Sequence, residues 1–133
     1  MKMSREIKFR GWIKKEEIMG EVVALQWLEL GDDDHNLSFE AVNVKVELST
    51  YTCFPYEVEL MQYTGLQDMT GKDIYESDIL EQQTEWGGAV TTLRKVVKWN
   101  TSGWNIKSGN TRVVIGNVWE NKKLIVKEQK NGR

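Results

Sequence analysis

The sequence predicts a mainly β fold with at most one or two short helices. Two observations carry this reading. Residues 41–49, AVNVKVELS, alternate Val42, Val44, Val46 and Leu48 with Asn43, Lys45 and Glu47, the period-two pattern of a half-buried strand. In the last third, β-branched runs at 89–99 and 111–119 are separated by turn signals at 100–103 and 108–110. Strand, Gly-containing turn and strand at close spacing indicate a small antiparallel sheet or barrel.

The elements follow in order. Residues 5–13, REIKFRGWI, alternate Ile7, Phe9 and Gly11 or Trp12 with Lys8 and Arg10, a short strand with one wet face. Residues 18–30, IMGEVVALQWLEL, fit a helix or a well-buried strand. No good N-cap precedes them and Gly20 sits near the start, so strand is favoured. GDDDHN at 31–36 is a loop, because three adjacent carboxylates repel one another toward solvent. Residues 57–63, EVELMQY, alternate through Val58, Leu60 and Gln62. Between 70 and 80, TGKDIYESDIL reads as two turns: Met69, Thr70 and Gly71, then Glu76, Ser77 and Asp78, with Ile74 and Tyr75 returning to apolar surroundings between them. Acidic side chains at such a corner accept backbone N–H groups that no sheet partner reaches. Ile79 and Leu80 then start a new strand. WNIKS is a short strand after the 100–103 turn.

The chain has 133 residues, enough for one domain with a real core, or for two small lobes. We expect an N-terminal β-rich part at 1–60, a C-terminal barrel at 61–126 and a frayed basic tail at 127–133. The expected location is cytoplasmic: no run of about 18 apolar residues suits a membrane span, and the basic start MKMSREIKFR has no apolar h-region after it. Cys53 is the sole cysteine, so neither an intrachain disulfide nor a cysteine zinc site is expected. The net charge is −2, unevenly spread. An acidic middle lies between basic ends, and residues 91–133 hold ten basic and two acidic side chains.

Motifs for chemistry are sparse. Glu76 and Asp78 are spaced as carboxylates in a turn often are, and nothing beside them suggests substrate capture. Asp32, Asp34 and Asn36 open like a calcium loop, but Leu37 stands where Gly is needed and Asn43 where a bidentate Glu is needed. His35 is the only histidine. There is no G-x-S-x-G, Walker A or dinucleotide fingerprint. No cofactor and no catalytic residue are expected. The one plausible surface is basic: Arg94, Lys98, Lys107 and Arg112 interleaved with Trp99 and Trp104, the combination that serves phosphates and stacked bases. Against it, the two indoles flank a hairpin turn and suit packing on each other, and the acidic middle suits cancelling the basic field.

The run QYTGLQDMTGKDIYESDIL, residues 62–80, resembles the signature of the YopX-like phage and prophage proteins. It does so at Gln62, Tyr63, Thr64, Gly65, Leu66, Asp68, Gly71, Ile74, Tyr75, Glu76, Asp78 and Ile79. The opening REIKFRGW and the segment VIGNVWEN, residues 114–121, are similar to that family's ends. The resemblance implies a phage or prophage origin and an SH3-like small barrel in the C-terminal part, and it implies no activity. Ser77 departs from the family's usual Gly; if that position needs positive φ, Ser77 is strained there. The expected function is a non-enzymatic interaction module that binds itself or a host or phage macromolecule. The alternative is a nucleic-acid-binding module using the basic hairpin.

Overall fold

The computed structural model describes residues 6–30, 37–106 and 112–124. The 31–36 loop with its His35, Lys107, the 108–110 loop and the 127–133 tail lie outside the described residues. The chain forms two compact units, one at Lys8–Gln62 and one that runs from Tyr63 onward and takes in Glu6 and Ile7.

The first unit is an antiparallel sheet of β1 (Phe9–Ile13), β2 (Ile18–Leu30), β3 (Leu37–Val46), β4 (Ser49–Cys53) and the start of β5 (Val58–Gln67), in the order β4-β3-β2-β1-β5. Its core is Ile13, Val42, Val44, Cys53 and Val58, with Ile18, Val22, Val46 and Tyr51 packed against it. Residues 18–30 are a strand throughout. A bulge between Val22 and Ala24 shifts its register against β3. The alternation at 42, 44 and 46 holds, but Leu48 does not join it. Glu47 takes φ 56°, the chain turns there, and Leu48 is fully exposed. In β5 the expected series Val58, Leu60, Gln62 is replaced in its second half. Leu60 is 41% exposed, whereas Met61 and Tyr63 are buried. Both faces of this strand are covered over different stretches, so neither reads as purely polar.

The second unit begins where the far end of β5 pairs with β6 (Asp73–Tyr75), Tyr63 opposite Tyr75 and Gln67 opposite Asp73. A three-stranded sheet follows, with β7 (Asp78–Trp86) between β11 (Arg112–Asn117) and β8 (Ala89–Val96). A small ribbon of β9 (Trp99–Asn100) and β10 (Gly103–Trp104) stands apart from that ladder. The expected single strand at 89–99 therefore breaks at Val97, which turns inward to full burial. Ile74, Leu80, Val97 and Val114 form the core, with Trp104 and Ile106 against it. Each of those side chains contributes about 1.5–3 kcal/mol by leaving water. Among the described residues the ladders do not close into a barrel: β8 and β11 both stand at sheet edges.

Candidate interaction surface

The run Gln62–Ile79 builds scaffolding around two buried carboxylates. Asp68 is 6% exposed. Its Oδ1 accepts from the Thr70 N–H at 2.8 Å, the Thr70 hydroxyl at 2.6 Å and the Lys72 N–H at 3.0 Å, while Oδ2 accepts from the Val114 N–H at 3.0 Å. One side chain thus closes the 68–72 turn and pins it to β11. Burial pushes the Asp68 carboxyl up, but the Thr70 hydroxyl and the backbone donors of Val114, Lys72 and Thr70 outweigh it and hold the group at about 2.

Asp78, expected in the exposed corner, is instead 1% exposed at the head of β7. Its Oδ2 accepts from the Tyr75 N–H at 2.8 Å. The reason is position: Glu76 and Ser77 make the turn, and Asp78 folds back over it. Ser77 takes φ 75°. Its N–H donates to the Val97 carbonyl at 2.9 Å, and its carbonyl accepts from the Val118 N–H at 3.0 Å, so the corner is tied on both sides.

The rest of the run serves the same turns. Thr64 is buried and donates its hydroxyl to the Ile74 carbonyl at 2.7 Å. Gly65 and Gly71 take φ 86° and 92°, and Tyr63 and Tyr75 pack with centroids 5.5 Å apart. Leu66 is 39% exposed, Glu76 lies in the turn, and Gln62 pairs with Phe9 of β1.

Among the described candidates, the two arginines are engaged within the sheet. Arg94 Nε lies 3.1 Å from Glu81 Oε2 across the β7–β8 pair, and Arg112 Nη2 donates to the Gln67 carbonyl at 3.4 Å. Trp99 and Trp104 meet edge to face at 5.0 Å. Trp104 joins the core, while Trp99 remains 63% exposed beside the exposed Lys98.

The larger exposed feature escaped the sequence reading. β7 and β8 form a hairpin turned by Gly87 and Gly88, at φ 59° and 85°, the backbone that a two-residue loop between twisted strands requires. Among the described residues, β11 accompanies β7 only from Asp78 to Gln82. Beyond that, Gln83–Trp86 and Ala89–Thr92 pair with each other, and no other described strand joins them. This arm carries Trp86 at 87% exposure, Val90 at 60% and Leu93 at 52%. The segment EQQTEWGG offers one sequence signal, the paired glycines.

The first unit holds an open cleft of about 330 Å³, lined by Leu25, Ala41, Val42, Pro55 and Leu60 with Gln26 and Glu40. Its chemistry is apolar with a single carboxylate. Burial pushes the Cys53 thiol up, and Glu57 and Glu16 push it further, which disfavours the reactive thiolate. No group of acids, histidine and cysteine suited to a metal occurs among the described residues. No helix among them is long and apolar enough to cross a membrane.

Comparison with known proteins places these features. The family model described as YopX protein matches residues 8–126. The crystal structure of protein EF1440 from Enterococcus faecalis is similar over 92% of this chain and 99% of that one, with a TM-score of 0.59 and 23% identity, a likeness of fold. The curated proteins gave no match.

Proposed function

The chain belongs to the YopX family, and from that premise we propose that it is a phage- or prophage-encoded interaction module, cytoplasmic and non-enzymatic, whose contact element is the β7–β8 arm. One observation carries the reading: Trp86, Val90 and Leu93 stand exposed on the β7–β8 hairpin, whose tip extends past the described part of β11. Stability gives no reason to present an indole to water. Exposed aromatic and aliphatic groups clustered on one element are what a binding partner covers. The non-enzymatic part is supported by the carboxylates of the signature run. Asp68 is saturated by backbone and hydroxyl donors, and Asp78 holds its own turn, so both are committed to the scaffold. The second unit is read as an open SH3-like arrangement, supported by short strands wrapped around Ile74, Leu80, Val97 and Val114.

The nucleic-acid reading has less behind it, since Arg94 and Arg112 are engaged within the sheet and Trp99 packs edge to face with Trp104. The test is affinity capture from host lysate with the full chain, with and without nuclease, beside a Trp86→Ser, Leu93→Thr variant. A protein retained after nuclease and lost with the variant is expected. Binding abolished by nuclease, or indifferent to the arm, overturns the reading. So does a large thermal stabilisation by an added metal or small metabolite.

A further inference from the structure

The arm also has an open backbone edge, and the two edges of its sheet are treated differently. On the β11 side, the Arg112 carbonyl accepts from the Met69 N–H at 3.0 Å and the Val114 N–H donates to Asp68, so the 68–72 turn covers that edge. On the β8 side, the pairing alternates from the Gly87–Gly88 loop. Trp86 and Ala89 flank a two-residue loop and exchange hydrogen bonds, as do Thr84 with Thr91 and Gln82 with Leu93; the residues between them point their backbone groups outward. Val90, Thr92, Arg94 and Val96 are therefore the outward set. The Val96 carbonyl fits this phase, since the Asn105 side-chain amide caps it from outside at 2.9 Å. Among the described residues no strand other than β7 pairs with β8 along Val90, Thr92 and Arg94, β8 holds no proline, and its pairing with β7 runs without a bulge. Natural sheets seldom leave such an edge open.

We infer that β8 pairs antiparallel, across a two-fold axis at Thr92, with β8 of a second copy of this chain. The phase of the ladder requires outward residues to face outward residues, which admits Thr92 opposite Thr92 with Val90 opposite Arg94. Charge selects the same arrangement. Within one chain Glu81 is answered by Arg94, but Glu85 faces only Val90. In the paired sheet Glu85 of the other copy lies beyond Val90 on the face that carries Arg94, an acid set toward a base while Arg94 keeps its bond to Glu81. On the opposite face Lys95 crosses the small Ala89 toward the exposed Trp86, a cation over an indole. No like charges meet directly, and Thr92 beside Thr92 is a favourable β-branched pair. This rests on the arm being the contact element, and names its partner as self.

Light scattering of the full chain over a range of concentrations is the test. The mass should double, and Thr92→Pro should return it to the monomer while keeping a cooperative melt and the parent's far-UV CD spectrum. That variant removes an outward N–H and leaves the β7–β8 ladder intact. If it fails to fold, Thr92→Cys supplies the answer. Opposed hydrogen-bonded residues stand at a Cα separation that a disulfide spans, about 5.5 Å, so mild oxidation should cross-link that variant faster than Thr91→Cys. A chain that stays monomeric at every concentration, or cross-linking that favours Thr91→Cys, overturns the pairing. If the chain is monomeric yet the Trp86→Ser, Leu93→Thr variant loses a protein partner, the pairing fails and the interaction reading stands. If neither association depends on the arm, both fall.

Discussion

At the scale of single residues, the most informative position is Ser77. A left-handed backbone costs a residue with a Cβ about 1–2 kcal/mol, and glycine escapes this. The sequence raised the question because Ser77 stands where the signature it resembles has Gly, and the structure answers it with φ 75°. The strain persists because the Ser77 backbone is bonded to both Val97 and Val118, which over-determines its geometry. Ser77→Gly should therefore stabilise the protein by about 1 kcal/mol, less than the full strain because glycine is freer when unfolded. A urea midpoint that rises with an unchanged slope checks it; a lower midpoint would mean that the hydroxyl contributes more than the strain removes. Leu48 teaches the converse. Alternation assigned it to the core, but period two has no way to register that Glu47 turns the chain one residue earlier.

At the scale of elements, the 68–72 turn and β11 behave as one piece because Asp68 joins them. No local pattern reveals this, since the partner N–H lies at Val114, far along the chain; only the family-like run marked Asp68 at all. Its pH dependence has a definite sign. The folded group titrates at about 2 against an ordinary 3.8, so the unfolded chain takes up the proton first as pH falls. The clasp's stabilisation is therefore fully present above about pH 4 and is lost as pH falls toward about 2. Asp68→Asn puts an amide donor near the Val114 N–H or leaves that donor unsatisfied, at a cost of about 2 kcal/mol near neutrality. Melting curves at pH 7 and pH 3 should show the variant losing less on acidification than the parent. Equal losses would mean the carboxylate charge is not what the turn uses. Both strands of the β7–β8 arm had sequence signals, but its exposure was illegible for another reason. With both its faces wet, it needs no apolar alternation, and its only local demand is the glycine pair at the tip.

At the scale of the whole molecule, charge bears on the two functional readings. The sequence shows basic ends around an acidic middle but leaves open which side chains meet. Within the second unit, the structure sets Arg94 against Glu81, and Arg112 against the Gln67 carbonyl. Glu85 adds a further acid on the same arm. Cations already answered inside the sheet release few counterions when a phosphate arrives, so the affinity they lend is small and the salt slope shallow. Of the candidate residues that the structure describes, Lys98 and Trp99 remain as an exposed pair. The full chain, with a net charge of −2, should therefore bind a labelled single-stranded oligonucleotide weakly at about 150 mM salt, with log affinity falling by much less than several units per decade of salt. Fluorescence anisotropy across a salt series reads both quantities. Tight binding with a steep slope, abolished by the Arg94→Ala, Lys98→Ala, Trp104→Ala variant, would transfer the function from the arm to the basic hairpin. It would also require the Arg94–Glu81 pair to open on contact with the strand, because the guanidinium cannot serve the carboxylate and a phosphate in full at once.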